Sequence, residues 1–444
     1  MSRKHAKTIQ ASLKTPKMDD TNFQQAYSKH MSGDTQTARK LYEDILEKSP
    51  KHTDARYMLG TLLAESGALE EALAQLAIAA KQAPGSPMIQ TNLGNVYFKL
   101  GKLDQAGKHY QQALKINPLM PETLFNLAII FTRQNRLREA ATHLERGLKI
   151  NPNFSAARRK LGSIYRELNQ HPAAIKHLDK FLEQHPDDVP ALFDIGNAYA
   201  AQNKQSEALT YFRRILEVAP DNQSAQHAVA ALTGQTTPTA PPEHVAQLFD
   251  EMSEKFDGHL KQLGYRVPEM LTELLLGISG DARFERAIDF GCGTGLLGAQ
   301  IKSHVSHLTG IDLSPKMIAL AGAKSSYDEL AVSDICEFMD AAKHQYNLFM
   351  STDVFIYIGD LSGIFQSVRN HAAPGAYFIF SIEETSERDY VLRPSGRYAQ
   401  STHYIESLAK THDFSIRASR SIDLRMERTQ TVKGNLFVLQ TNQP

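Results

Sequence analysis

The sequence predicts two domains, an all-α repeat solenoid followed by an α/β domain built on a doubly wound, mostly parallel sheet. Two observations carry this reading. From about residue 19 to 222 the chain repeats itself at a spacing of 34 residues, and a period of that size marks a stack of helix pairs. After a Thr- and Pro-rich segment, apolar runs and amphipathic segments alternate almost to the last residue, as strands joined by crossover helices do.

In the repeat array, one unit is marked by Leu93, Gly94, Tyr97, Ala106, Tyr110, Ala113 and Pro118. The next three carry Leu127, Ala128, Phe131, Ala140 and Pro152, then Leu161, Gly162, Tyr165, Ala174 and Pro186, then Ile195, Gly196, Tyr199, Ala208 and Pro220. Leu59, Gly60, Leu63, Ala72 and Pro84 fit upstream, and Ala38, Tyr42, Ile45 and Pro50 mark a half-faded first unit. Small residues let two antiparallel helices approach closely, aromatics fill between them, and proline ends each unit. At this register the array resembles six tetratricopeptide repeats.

The resemblance implies a concave wall that binds a protein or peptide. Asn92 and Asn126 stand one residue before the Leu of the Leu-Gly or Leu-Ala step, and Asn95 and Asn197 two residues after the Leu or Ile that opens it. A row of amides, each both donor and acceptor, would hold an extended peptide backbone independently of its sequence; a similar row lines the solenoid of O-linked N-acetylglucosamine transferase. Asn92 and Asn126 are therefore the candidate partner-binding residues. The bland alternative is a solvated polar helix face, and Met58 and Lys160 interrupt the row.

Residues 223–243 read as a final helix remnant and a linker, with Thr233 to Glu243 an extended, semi-rigid spacer. The second domain then occupies 244–444. Two helices are expected over His244–Leu260 and Val267–Ile278, and strands over Arg286–Phe290, His307–Asp312, Glu329–Val332, Tyr346–Thr352 and Ala376–Ile382. Helices over Leu296–His304, Pro315–Lys324, Leu361–His371 and Thr402–Thr411 intervene, and Phe414–Ile422 with Asn435–Gln440 form a closing antiparallel pair. In such a sheet ligands sit at the C-terminal strand edges near the switch point.

The stretch from Ala287 to Gly298 is where the chemistry belongs. Its apolar run ends in Asp289, then Gly291, Gly293 and Gly295 alternate with Cys292 and Thr294 before a helix begins. Dinucleotide enzymes prefer G-x-G-x-x-G, whose third glycine would fall on Leu296. The G-x-G-x-G actually present, with its preceding acid, resembles class I S-adenosylmethionine-dependent methyltransferases. With the repeats it is similar to the bacterial tetratricopeptide-repeat methyltransferases, which share the opening seen here as Leu248-Phe249-Asp250, Phe256-Asp257 and Leu263-Gly264-Tyr265-Arg266. The resemblance implies a Rossmann-like, seven-stranded methyltransferase domain.

Amides around Gly291 and Gly293 would meet the carboxylate of S-adenosylmethionine, with Asp289 facing its ammonium or a bridging water. Cys292 is a small apolar loop residue, and Gly295 closes the turn. Asp312, which ends the second strand 23 positions after Asp289, would accept both ribose hydroxyls, with Leu313 beside it. Asp334 is placed to accept from the adenine amino group, with Ile335 packing beside the ring; the resemblance assigns the same three acidic roles. Taken singly, each acid also fits a helix cap or turn.

A sulfonium methyl is already electrophilic, so the protein's work is positioning and water exclusion. Asp353 and Tyr357, after the fourth strand, are the candidates to orient or deprotonate the acceptor. Phe249, Phe256 and Tyr265 are candidates for a lid. Arg393 to Ser401 resembles a family signature in which histidine commonly stands where this chain has Gln400, with His403 nearby.

Composition excludes other classes. Lys plus Arg and Asp plus Glu are equal at 49 each, so no global basic field attracts nucleic acid or anionic lipid. No apolar run approaches the roughly 18 residues of a membrane span. Two cysteines, Cys292 and Cys336, give no disulfide framework, and a cytoplasmic, soluble protein without a metal is expected. Residues 1–18, with Arg3, Lys4, Lys7, Lys14 and Lys17 and no acid, read as a disordered basic tail in preference to a transit peptide. Three functions remain: a protein methyltransferase whose repeats capture the substrate, a small-molecule methyltransferase docked by its repeats, and a non-catalytic adaptor.

Overall fold

The computed structural model describes residues 18–442 apart from 281, 388, 428 and 429; the basic tail expected over 1–18 lies, but for Met18, outside the described residues. Two compact units divide the chain, Met1–Asn203 and Lys204–Pro444.

In the first unit antiparallel helices follow one another from Met18–Met31 to Val189–Ala201. The turn inside each repeat carries a left-handed residue: Gly33, Gly67 and Gly101, then Asn135, Asn169 and Asn203. These positions recur at the repeat spacing, and only Gly or Asn adopts this backbone at low cost. The small residue after Leu is there for close approach. A Cβ on Gly94 would stand 2.5 Å from the Tyr110 ring, and one on Gly162 2.5 Å from Leu178 Cγ. Tyr110 and Leu178 are buried in consequence.

The second unit is built on a seven-stranded sheet. Its strands are β1 (Phe284–Phe290), β2 (Val305–Asp312), β3 (Glu329–Val332), β4 (Tyr346–Ser351), β5 (Ala372–Glu383), β8 (Phe414–Glu427) and β9 (Gln430–Thr441), and a separate hairpin pairs β6 (Tyr390–Leu392) with β7 (Tyr398–Gln400). The order is β3-β2-β1-β4-β5-β9-β8. β1 to β5 run parallel, whereas β9 is antiparallel to β5 and to β8. The order reverses between β1 and β4, which opens a crevice at their C-terminal ends. Alternate residues face two cores: Phe349, Phe378 and Phe380 on one side, Leu348, Met350 and Ile379 on the other.

Three expectations need correction. The helix expected over His244–Leu260 is broken into Pro242–Met252, a single 3-10 turn Ser253–Lys255, and Phe256–Gln262. The hairpin β6–β7 and the short helix Ile335–Ala341 were not expected, being too brief to show a period. Most consequentially, the segment read as an extended, semi-rigid spacer is extended but fastened as a strap to the sheet unit. Thr237 Oγ1 and the Tyr398 hydroxyl lie 2.5 Å apart, Thr236 Oγ1 accepts from Leu392 N–H, and Ala240 N–H donates to Tyr357 O at 2.9 Å. Pro238 O accepts from both Gly359 and Asp360 N–H, and Thr239 bridges Ile358 as an antiparallel edge. Prolines and threonines stay extended in either setting. Carbonyls and hydroxyls suffice to bond an edge that needs few backbone donors.

The glycine geometry makes a paired prediction. Gly94→Ala, although it improves intrinsic helix propensity, should destabilise the repeat unit by about 1–3 kcal/mol through overpacking. Gly107→Ala, whose new Cβ would stand 3.9 Å from Ile130 Cδ1, should be neutral or stabilising by up to about 1 kcal/mol. Urea unfolding of both variants checks the contrast.

Candidate functional site

The C-terminal ends of β1, β2 and β4 and the segments that follow them surround a cavity of about 270 Å³. Its floor includes Gly291, Cys292, Gly293, Asp312, Leu313, Asp334 and Ile335, and Asp353 and Tyr357 line it as well. Of the residues singled out from sequence, Asp289 and Gly295 do not line the cavity; both support the loop that does.

Asp289, penultimate in β1, is buried at 1% exposure. Oδ2 accepts from the Tyr327 hydroxyl at 2.7 Å, while Oδ1 has no partner. Burial, reinforced by the nearby Asp312 carboxylate, pushes its pKa up to about 7 against the opposing Tyr327 bond. Asp312 is also raised, chiefly by burial. Its oxygens accept from Gly293 N–H at 2.9 Å and Ser314 N–H at 2.8 Å. The Gly293 amide, expected to meet a ligand carboxylate, is thus engaged by Asp312. Burial likewise raises the Cys292 thiol far above its usual range, so this cysteine is an inert neutral wall residue.

Glycine is required here for two reasons. Gly291 has φ 64°, and a Cβ on it would stand 2.3 Å from Val354 Cγ2. Gly295 has φ 85°, and its added Cβ would stand 2.9 Å from the Tyr327 ring. Asp334 combines the two roles weighed for it: Oδ1 caps the helix Ile335–Ala341 through Cys336 N–H at 2.8 Å, and the residue also lines the cavity.

A lid crosses the cavity with Phe249, Phe256 and Tyr265 among its lining residues. The acids of the opening motif pin it down. Asp250 accepts from the Ser314 hydroxyl and Lys316 N–H. Asp257 accepts from the Thr294 hydroxyl and pairs with Lys324 Nζ at 2.6 Å. Phe249 meets Tyr357 edge-on at 5.5 Å, and the strap adds Thr239, Ala240 and Pro242 to the wall.

Asp353 holds a left-handed backbone, φ 56°, a strained state that accumulates at functional sites. The buried Ser381 fixes it by accepting from Asp353 N–H at 2.9 Å and donating to Oδ1 at 3.1 Å. Gln400 is wholly buried and its amide donates to Phe355 O and Ile358 O at 2.8 and 2.7 Å. It therefore clamps the turn that presents Tyr357, using two donors on one nitrogen, a geometry histidine lacks. His403 is exposed and does not line the cavity. The sequence reading missed Tyr327 and Lys324, whose partners Asp289 and Asp257 lie 38 and 67 residues away in the chain. Thr294 and Ser314 stand inside motifs that it did read, but their bonds to Asp257 and Asp250 are equally long-range and left no local signal.

A sheet of this order, with three acids at adjacent edges and a glycine loop at the switch point, defines a class I methyltransferase domain. Residues 288–380 match the family model described as "Methyltransferase domain". Residues 7–232, half of the chain, match the model described as "Cilia and flagella-associated protein 70 C-terminal domain". The chain belongs to that repeat family, and its second unit has the fold of class I methyltransferase domains and matches the methyltransferase-domain model over residues 288–380.

Among curated relatives, the Ubiquinone biosynthesis O-methyltransferase of Pseudomonas savastanoi pv. phaseolicola is 24% identical over 148 residues, 31% of this chain and 59% of the relative. The chain thus spans less than two thirds of that relative's length. The enzyme of the same name from Vibrio cholerae serotype O1 is 23% identical over 177 residues, 37% of this chain and 71% of the relative. Among solved structures, YrrB, "a TPR protein with an unusual peptide-binding site", covers 42% of this chain and 96% of its own at 22% identity and TM-score 0.39. The N-methyltransferase NodS from Bradyrhizobium japonicum with S-adenosyl-l-homocysteine covers 39% and 86% at 18% identity and TM-score 0.33. Among the described residues no helix is long and apolar enough to cross a membrane, and no group of His, Cys, Asp and Glu could hold a metal ion.

The raised pKa of Asp289 carries a signed prediction. A carboxyl whose pKa is about 7 when folded and about 3.9 when unfolded costs stability as pH rises through that interval and beyond. Asp289→Asn should therefore raise the melting temperature of the ligand-free protein at about pH 8, by roughly 2–4 °C for each kcal/mol relieved, and leave it nearly unchanged at about pH 4. Scanning calorimetry at the two pH values checks the sign.

Proposed function

We propose that this protein transfers a methyl group from S-adenosylmethionine to a polypeptide that its repeats recruit. The observation that carries the cofactor half is the unmet, buried acceptor of Asp289, which fits a cationic ammonium or a water bridging to one. Asp312 would hold the ribose hydroxyls with lone pairs not used by Gly293 and Ser314, and Asp334 with Ile335 and Leu313 would hold the adenine. Gly291, Cys292 and Gly293 would form the close floor of the site, with Gly295 supporting it from behind. When bound, the cofactor supplies an electrophilic methyl group. Asp353 and Tyr357, fixed by Ser381 and Gln400, would orient the acceptor or hold its proton, and the pinned lid would exclude water.

We read residues 19–222 as the recruiting module, 223–243 as the last helix and the strap, and 244–444 as the methyltransferase domain. The repeat unit has a second cavity of about 440 Å³, lined by Asn92, Asn95, Phe98, Phe125 and Asn126 among others. Its amides form one chain: Asn92 Nδ2 donates to Tyr57 and Thr61 hydroxyls, Asn95 to Asn92 at 3.5 Å, and Asn126 to Asn95 at 3.0 Å. The same register further on is occupied by Asp194, paired with Arg166 at 2.6 Å. Asn197 is exposed. An amide row beside two phenylalanines suits an extended peptide with apolar side chains, and tethering to the enzyme raises its local concentration.

A second reading is favoured by the catalytic cavity itself. Phe249, Met252, Phe256, Leu260, Leu263 and Ile356 give it a largely apolar wall, which suits a small lipophilic acceptor, and the curated relatives above are O-methyltransferases.

Cell extract incubated with radiolabelled S-adenosylmethionine separates the two. The first reading expects label in macromolecules, reduced about tenfold or more by Asn92→Ala with Asn126→Ala through loss of a few kcal/mol of recruitment. Label confined to small molecules, unchanged in the double variant, would overturn it in favour of the second.

A further inference from the structure

The glycines of the methyl-donor loop have a neighbour that the motif does not contain. Tyr327, in the turn before β3, lies in a slot formed by Gly295, Gly298 and Gly310. A Cβ on these would stand 2.9, 2.3 and 2.8 Å from Cε2, Cζ and Cδ1 of its ring. At the end of the slot the phenol donates to Asp289 Oδ2 at 2.7 Å. One carboxylate oxygen is thus engaged while the other has no partner.

We propose that Tyr327 is a positioning residue for S-adenosylmethionine: its hydroxyl fixes the Asp289 carboxylate behind the glycine loop, so that the unpartnered oxygen receives the cofactor's ammonium directly or through a bridging water. Three of the glycines around the loop serve this phenol by leaving room for it. The inference rests on the role proposed above for Asp289. Burial of an acid at this depth favours the neutral form, which could not pair with a cation, and a hydrogen bond to the anion opposes that tendency. The titratable groups facing Asp289 are Asp312, Cys292 and Tyr327. Asp312 and the neutral thiol do not favour its ionisation, so the phenol is the one that does.

The test is calorimetric binding of two ligands, S-adenosylhomocysteine, which carries the ammonium, and 5′-methylthioadenosine, which lacks it. Full-length wild type, Tyr327→Phe, Asp289→Asn and the double variant are compared between about pH 6 and about pH 9. Tyr327→Phe should keep its methylthioadenosine affinity within about twofold and lose about tenfold for S-adenosylhomocysteine near pH 7, the scale of one charged hydrogen bond. The midpoint of its affinity-against-pH profile should move upward, because the acid has lost a bond that stabilised its anion. In the Asp289→Asn background the Tyr327 change should have no further effect. Gly298→Ala, which displaces the ring, should reproduce the ligand-selective loss independently of the phenylalanine variant.

Equal weakening of both ligands, or an unmoved pH profile, would overturn the inference and leave Tyr327 as packing alone. If Asp289→Asn weakens S-adenosylhomocysteine while Tyr327→Phe does not, only the phenol's role fails. If Asp289→Asn changes neither ligand, the assignment of Asp289 fails and takes the inference with it.

Discussion

Burying one carboxylate at the end of β1 is the constraint around which the catalytic unit is arranged. An unpaired anion in that setting is costly, and Asp289 is only half satisfied, by a phenol on one oxygen. The ligand-free protein carries that cost as a raised pKa. A cation arriving at the free oxygen would remove it, so under the proposed role of Asp289 affinity for the cofactor and instability without it have the same origin. Asp289 is flanked in the sheet by its parallel neighbours, Gly310 of β2 and Met350 of β4.

Around this point the unit is closed by contacts between segments far apart in sequence. Asp250 and Asp257 fasten the lid to the starts of the helices that follow β1 and β2. The strap reaches the turn 355–358 from one side and Gln400 clamps it from another. His227, on the helix Gln223–Thr233, meets Gly396 O at 2.9 Å, so a helix that sequence assigns to the end of the repeats is fastened to the signature loop. The buried Glu383 pairs with Arg393 at 3.0 Å and anchors the base of the same loop. The cavity is therefore a composite whose walls come from the lid, the strap and the signature loop.

Much of this was legible in the chain. The 34-residue register located every helix pair because each repeat must solve the same packing problem, as Gly94 against Tyr110 shows. The alternation of strands and helices and the position of the glycine loop were legible, since a tight strand-to-helix turn constrains its own sequence; the strand order β3-β2-β1-β4-β5-β9-β8 was not. What could not be read is what depends on partners distant in the chain. Tyr327 sits in an unremarkable Ser-Ser-Tyr-Asp turn, and its importance comes from three glycines between 17 and 32 residues upstream. The strap reads in sequence as a spacer because its Thr-Pro composition is the same whether its hydroxyls face water or Tyr398. Gln400, a departure from the resembled signature, found its meaning only in the two carbonyls it holds.

The central claim is that a buried, partly protonated Asp289 ionises to receive the cofactor's ammonium. Calorimetry of S-adenosylhomocysteine binding at about pH 6, repeated in buffers of different ionisation enthalpy, measures it directly as proton exchange. The account predicts release of nearly one proton from the wild-type protein and of none from Asp289→Asn. Binding to the wild type with no proton released, or with protons taken up, would contradict it.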